Sequence, residues 1–296
     1  MIKSSTMKGS CVLSEKLKNI KYLALDMDGT LLPDDKRITD YTLEALKEAH
    51  LSGYKLCICS GRSFAGVYKY EQLRNIIDYY VCFEGGYIVD NQNPLSPKVI
   101  HSVSIPSKAL DVIIKSCKDN GAMLALLTNS EGFCLNCESR IYESVRIWGS
   151  EPVDIDSSGA LNFIGNRDVF ISLIYGEKNV IDSIWETFSS EITERFDVIN
   201  TYLDFKDLHH LVIKAPGVNK WQGLSRVMEL NGFGAENLIT FGDWHNDFEM
   251  IKNAGVGVAM KNAEPAIINA AMVITDHDNN DEGVARFIKQ KLLSLK

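Results

Sequence analysis

No apolar run in this sequence is long enough to cross a bilayer as a helix, which excludes a helical membrane span at the outset. Residues 1–19 scatter Lys and Ser around Cys11-Val12-Leu13 and lack the longer apolar centre of a signal peptide. They are expected to form a tail that packs loosely or not at all. Positive charge is in short supply. Lys and Arg number 31 against 39 Asp and Glu, a net charge of −8, which argues against generic binding to nucleic acid or to an anionic membrane. The seven cysteines are an odd number, and no zinc site is expected of them. Cys134 and Cys137 make the one Cys-x-x-Cys, with no second pair and no histidine pair nearby, while Cys57, Cys59 and Cys82 fall inside apparent strands as small core residues. With no export signal, a reducing cytosol is the expected compartment, so the chain is read as cytoplasmic. Internal repeats and low-complexity runs are missing as well.

What is present is an ordinary globular composition, 45% hydrophobic and 24% charged, in 296 residues, which is long for one core; two domains are expected. The stretch Lys21-Tyr22-Leu23-Ala24-Leu25-Asp26-Met27-Asp28-Gly29-Thr30-Leu31 organises the rest. A short apolar run bounded by turn chemistry reads as a buried strand. Asp26 and Asp28 stand at its C-terminal end, where sites collect in open α/β sheets. Gly29 has the chain already turning, and that geometry suits oxygen ligands for Mg²⁺ and free backbone N–H groups for an anion. A calcium loop fails, because the twelfth residue counted from Asp26 is Arg37 and not a glutamate. On this stretch alone, a plain solvated turn stays open.

Further along, Thr39 to Leu51 has helical spacing, with Leu43, Leu46 and Ala49 to Leu51 apolar and Gly53 closing it. A strand from Tyr54 to Cys59 runs into Ser60-Gly61-Arg62. A helix is predicted around Phe64 to Arg74, then a strand from Tyr79 to Phe83 and the turn Glu84-Gly85-Gly86. Strand and helix alternating at this spacing predict a parallel, doubly wound sheet. From Tyr87 the texture changes. A hairpin joins Tyr87–Asp90 to Lys98–His101, and helices from Ser107 to Lys118 and Asn179 to Ser189 mix with strands near Met123–Leu127, Gly132–Cys137, Val169–Tyr175, Phe196–Asn200 and His210–Lys214. Asp154 to Arg167 reads as loop. Such mixing predicts an α+β unit inserted into the first. After Pro216-Gly217 the alternation resumes with a helix from Asn219, a strand Leu238 to Phe241, the polar cluster Gly242 to Asp247, strands at Val256–Ala259 and Val273–Ile274, and a last helix from Asp281.

Polar stations therefore recur at strand ends or helix starts: Asp26 with Asp28, Ser60, Lys220, and Asp243 with Asn246 and Asp247. Each has an ordinary alternative, a turn at Ser60, a solvated lysine at Lys220, a helix cap at Asp243 to Asp247. Jointly they supply a carboxylate nucleophile, metal ligands, a hydroxyl donor and a fixed cation, the parts of a phosphoryl-transfer site.

In this order the stations resemble the haloacid dehalogenase (HAD) superfamily of phosphohydrolases, in its Cof-type (IIB) sugar-phosphatase branch with a large α/β cap. Asp26-Met27-Asp28-Gly29-Thr30 is similar to its first motif, Cys59-Ser60-Gly61-Arg62 to its second, Pro216 to Lys220 to its lysine-bearing third, and Gly242 to Asp247 to its fourth. Gly255 to Met260 with Asn262-Ala263, and Asp281 to Ala285, resemble its C-terminal stretch. The likeness covers roughly residues 20–296, strongest outside the insert.

The resemblance implies a doubly wound Rossmann-like core from 20–86 and 217–296 with an inserted cap from 87–216 that closes over the site and selects the leaving group. It implies that Asp26 attacks phosphorus and that Asp28 protonates the leaving alcohol and later deprotonates water. Mg²⁺ would be held by Asp26, Asp243 and the Asp28 carbonyl, with Asp247 supporting from behind. Ser60, Lys220 and Asn246, with Gly29, Thr30 and Gly61, would hold the phosphoryl group. Arg62, Glu84 and His245 are candidate substrate contacts. The expected partner is a small phosphorylated metabolite, with the chain a monomer or weak homodimer. A phosphomutase using the same aspartates, and a sugar-phosphate-binding regulator without turnover, are the rival readings. Glu84-Gly85-Gly86 departs from the branch's usual Asn-Gly-Ala. An unpaired carboxylate about 4 Å from a phosphate oxygen costs roughly 4 kcal/mol at an effective dielectric near 20. Glu84 is therefore expected at the exit from the sheet, paired with a cation such as Arg62 or contacting the leaving group, off the transferring phosphoryl.

Overall fold

The computed structural model describes residues 12–155, 167–192, 196–203 and 208–295. Its strands in chain order are β1 (Tyr22–Leu25), β2 (Lys55–Cys59), β3 (Tyr79–Cys82), β4 (Tyr87–Asp90), β5 (Lys98–Ser102), β6 (Met123–Leu127), β7 (Glu131–Leu135), β8 (Glu151–Asp154), β9 (Ile171–Gly176), β10 (Asp197–Leu203), β11 (Leu208–Lys214), β12 (Leu238–Gly242), β13 (Val256–Ala259) and β14 (Val273–Ile274). They form an eight-stranded sheet, order β14-β13-β12-β1-β2-β3-β4-β5, and a six-stranded sheet, order β10-β11-β9-β6-β7-β8.

The large sheet is parallel from β14 to β3. Leu23, Ala24 and Leu25 of β1 are all buried, as are most residues of its neighbours, the continuous apolar burial of strands covered on both faces. Register then fixes the site. Leu25 stands opposite Phe241 on one side and Ile58 on the other, so the residues following β1, β12 and β2 emerge at one edge. The chain turns outward from β1 in both directions there, the switch point at which α/β sheets bind ligands. The expected doubly wound α/β fold with an inserted α+β segment is the fold observed.

The chain forms two compact units. One takes the chain up to Ser60, Tyr70–Ile100 and everything from Asn219; the other takes Gly61–Lys69 and His101–Val218. The hairpin expected to open the insert belongs to the large sheet, because β4 pairs antiparallel with β3 along its whole length. Gly61–Lys69 clusters with the second unit for a local reason. Ser63 N–H donates to the Trp148 carbonyl at 2.7 Å, and a Cβ on Gly66 would fall 2.6 Å from the Gly149 Cα.

In the second unit β6, β7, β9, β10 and β11 pair antiparallel, with β8 added parallel to β7. Leu124 with Leu126, Phe133 with Leu135, and Leu211 with Ile213 alternate onto one face, where they join Ile113, Ile181 and Phe188 from helices Ser107–Asn120 and Lys178–Glu191 in a single apolar core.

Other elements depart from the sequence expectation. The tail is not loose over residues 12–18, which are helical; Leu17 and Ile20 are buried and Lys16 Nζ donates to the Gly255 carbonyl. The helix expected from Phe64 to Arg74 stops at Tyr68 and gives way to a single turn at Glu71–Leu73. Tyr70 leaves helical geometry there, its ring buried and its hydroxyl donating to the Lys36 carbonyl, so a tertiary contact overrides local spacing. Helix Ser139–Ile147 and β8 were not anticipated; Ile141 and Val145 are too few to stand out among polar neighbours. The loop expected over Asp154 to Arg167 lies mostly outside the described residues.

Candidate active site

Asp26 follows β1 directly, and its N–H donates to the Phe241 carbonyl of β12 at 3.1 Å. Its carboxylate is met by a lysine from far along the chain. Lys220 opens helix Lys220–Asn231, capped by the Asn219 side chain, and is 1% exposed. A buried ammonium in the first turn of a helix opposes the helix dipole and needs carboxylates to sustain it. Lys220 Nζ reaches Asp26 Oδ1 at 2.6 Å and Asp247 Oδ1 at 2.7 Å. Burial would lower its pKa, but Asp247, Asp26 and Glu84 outweigh burial and hold the ammonium well above the usual lysine value.

Asp243 leaves β12 and Asp247 follows it in a tight turn. Asp247 Oδ2 accepts the N–H groups of Asp243 and Trp244, so both Asp247 oxygens are committed to holding the loop and the lysine. Asp243 commits one oxygen, Oδ1, to the Thr30 hydroxyl at 2.7 Å. Gly29 makes this approach feasible. Its φ is +78°, and a Cβ there would fall 2.3 Å from Asp243 Oδ2.

Asp26, Asp243 and Asp247 are all buried and place ligand oxygens within 4.8 Å of one another. Lys220 cannot balance three such carboxylates, and the crowding registers in the titration of Asp26 and Asp243. Burial pushes Asp26 well above the ordinary carboxylate range; Lys220 pulls it back, while Asp247 and Asp243 push it further. Asp243 is raised to about 6 by burial, against the Thr30 hydroxyl, with Asp247 adding to the rise. An excess of hard oxygen donors in a buried pocket fits a divalent cation such as Mg²⁺. Besides the oxygens that meet Lys220 and Thr30, Asp26 and Asp243 each carry a second carboxylate oxygen.

The remaining predicted residues divide. Ser60 is buried at the end of β2, and its carbonyl accepts the Glu84 N–H at 3.1 Å. Glu84 is buried and its Oε1 accepts from Asn246 Nδ2 at 2.9 Å, which joins these two stations. Asp28 is partly exposed and its Oδ1 lies 2.9 Å from Lys36 Nζ. Thr30, expected on phosphate, donates its hydroxyl to Asp243. His245 is exposed beside Trp244, the two rings 5.5 Å apart. Gly61 and Arg62, the latter buried, belong to the second unit. Sequence reasoning missed Lys36, which carries no motif of its own, and the role of Asn262, whose Nδ2 donates to the Gly29 carbonyl at 2.8 Å.

A family model described as haloacid dehalogenase-like hydrolase matches residues 23–288. Among curated proteins, the 5-amino-6-(5-phospho-D-ribitylamino)uracil phosphatase YitU of Bacillus subtilis (strain 168) is 29% identical over 278 residues, covering 90% of this chain and 96% of the relative. The pyridoxal phosphate phosphatase YbhA of Escherichia coli (strain K12) is 25% identical over 287 residues, 92% of this chain and 99% of the relative. Among solved structures, a haloacid dehalogenase-like hydrolase from Bacteroides thetaiotaomicron has a TM-score of 0.79 at 25% identity, covering 92% of this chain and 99% of the other. The HAD subclass IIB sugar phosphatase BT4131 gives 0.74 at 22% identity, covering 93% and 100%, a likeness of fold.

Proposed function

The chain belongs to the haloacid dehalogenase-like hydrolase family and is a phosphatase, and from that premise we propose that it is a Mg²⁺-dependent hydrolase of small phosphate monoesters, sugar phosphates among them, working through an aspartyl-phosphate on Asp26. The observation that carries this reading is the buried set Asp26, Lys220, Asp243 and Asp247 at one sheet edge. The two named relatives act on phosphate esters of small molecules, one carrying its phosphate on a ribityl group and the other on pyridoxal.

In this reading an oxygen of Asp26 attacks phosphorus while the bond to the ester oxygen breaks, and Asp28 gives its proton to that oxygen. Water then attacks the aspartyl-phosphate, Asp28 takes a proton from it, and the bond between phosphorus and Asp26 breaks to release phosphate. Lys220 keeps one Asp26 oxygen fixed so that the other faces substrate, and it neutralises charge that gathers on the phosphoryl oxygens. Ser60 and Asn246 hold those oxygens, and Asp247 holds Lys220. Asp26, Asp243 and the Asp28 carbonyl would hold Mg²⁺, which when bound supplies the remaining neutralising charge. The paired carboxylates suit this chemistry because an alkoxide leaves poorly without an acid.

The test is a screen of phosphate esters with released phosphate measured in Mg²⁺ and after EDTA, alongside Asp26→Asn. Release should vanish with EDTA, return with Mg²⁺, and fall at least about 10⁴-fold in a variant whose circular dichroism is unchanged. Full activity of the metal-stripped protein, or of Asp26→Asn, would overturn the mechanism.

A further inference from the structure

Backbone strain and unmet hydrogen-bonding capacity coincide in the turn after β3. Phe83 and Glu84 both hold left-handed backbone, with φ of 47° and 59°, a conformation that sterics disfavour for any residue with a Cβ. The paired glycines were expected to take this turn, but Gly86 has φ −74° and only Gly85, which bears no Cβ, joins Phe83 and Glu84 at positive φ. Contacts on each side hold the turn in place. Glu84 N–H donates to the Ser60 carbonyl, and a Cβ on Gly85 would fall 2.3 Å from the Asn219 carbonyl oxygen. A Cβ on Gly223 would in turn fall 2.9 Å from the Gly85 Cα. The strained turn thus delivers a carboxylate to the meeting point of the Ser60, Lys220 and Asn246 stations.

That carboxylate is only partly used. Glu84 is 4% exposed, and Oε1 accepts from Asn246 Nδ2 at 2.9 Å. Among the described residues, Glu84 Oε2 and Asn246 Oδ1 are both buried and accept no hydrogen bond. Buried polar atoms are costly to leave unmet, so a clamp that served the fold alone would satisfy both. Two idle acceptors within one hydrogen-bonded pair ask for donors. A phosphoryl oxygen cannot supply them, being an acceptor itself; a hydroxyl group can.

Resting on the phosphatase reading above, we propose that Glu84 and Asn246 form a two-acceptor subsite for hydroxyl groups on the leaving alcohol, which selects polyol phosphates over esters of simple alcohols. Glu84 takes one hydrogen of the Asn246 amide and leaves the other for a phosphoryl oxygen, so the same amide spans phosphate and leaving group. The neighbouring Lys220 ammonium offsets the charge that Glu84 brings. A site built to accept from a hydroxyl rejects the analogue that lacks it, because its own buried oxygens then go unpaired.

The test compares D-ribitol 5-phosphate with n-pentyl phosphate, which share chain length and differ in hydroxyls. The ratio of their kcat/KM values should be at least tenfold smaller in Glu84→Gln than in the wild type, since Gln presents a donor where the carboxylate accepts. Should that variant not fold, Glu84→Asn, whose side chain tolerates left-handed backbone, is measured in the same way. If the wild type releases phosphate from no ester of the screen, these two included, the proposed hydrolytic mechanism fails. The ratio of the two dissociation constants, measured by calorimetry in wild type and variant, then carries the same expectation. An unchanged ratio in either measurement would mean that solvent serves both oxygens, and would overturn the subsite.

Discussion

The two units bury charge in opposite fashion. In the first, the buried charged side chains among the described residues are Asp26, Asp78, Glu84, Lys220, Asp243 and Asp247; in the second they are Arg62 and Lys214. Sheet type accounts for part of this. Parallel strands end at a common edge, so the residues after β1, β2 and β12 gather there, whereas antiparallel strands send alternate ends to opposite edges. Position along the strand matters equally. Asp78, before β3 at the other edge, is fully occupied by Lys55 at 2.7 Å and by the Leu56 N–H at 2.9 Å, with His50 nearby, a pattern of structural support. The carboxylates at the C-terminal edge outnumber their cation and keep oxygens to spare. The same residue type serves the fold at one edge and chemistry at the other.

Lys220→Met strikes hardest at this contrast. It leaves Asp26 and Asp247 buried without their shared partner, and breaking a buried pair from one side costs about 3–5 kcal/mol. Phosphate release should fall by about 10³-fold, the loss typical of removing a fixed group that stabilises developing charge. Denaturant melts and initial rates measure the two effects. A variant as stable and as active as the wild type would show that Lys220 is dispensable and that the excess of carboxylate needs no cation.

Much of this was legible in the sequence, and for identifiable reasons. Asp26, Ser60 and Asp243 stand immediately after short apolar runs, so a strand reading alone puts them at one sheet edge. Lys220 was legible through its place at a helix start near a Pro-Gly turn. Pairings between distant segments were not. Nothing local ties Thr30 to Asp243, Lys36 to Asp28 or Glu84 to Asn246, because these contacts are set by strand register and by turns whose φ no residue type announces. Phe83 and Glu84 take positive φ against residue preference, Gly85 takes it in keeping with preference, and Gly86 returns to right-handed backbone. In the second unit, helix Ser139–Ile147 escaped because its buried side is narrow, with Ile141, Ser144 and Val145 alone.

A smaller effect follows from the crowding itself. Asp243 titrates near 6 in the folded, metal-free protein, above the ordinary Asp value of 3.8, because burial and Asp247 disfavour its charge. A raised folded pKa means that the folded state binds the proton more tightly than the unfolded chain. The stability this contributes is complete below about 4 and is lost as pH rises through about 6, a change on the order of 3 kcal/mol. Melts of EDTA-treated protein should therefore weaken over that window, and Mg²⁺ should restore stability above it, where Asp243 is charged and able to bind. Metal-free protein that gains stability between pH 4 and 6, with the Asp243→Asn variant unaltered, would show that the carboxylates are not in excess.

The smallest expected effect comes from the second unit and sharpens the comparison most. Lys214 is buried at the end of β11, in a unit whose interior is a continuous apolar core. A lysine's stem is a hydrocarbon chain, and methionine reproduces much of its shape without the ammonium. Replacing a buried charge by an apolar group of similar volume is often neutral or stabilising, because the desolvation cost disappears with the charge. Lys214→Met should accordingly change stability by no more than about 1 kcal/mol, in either direction. The same lysine-to-methionine change thus has two expected outcomes, set by whether carboxylates depend on the cation. If thermal melts show Lys214→Met losing as much stability as Lys220→Met, the second unit rests on a buried ionic contact too, and the two units differ in degree and not in kind.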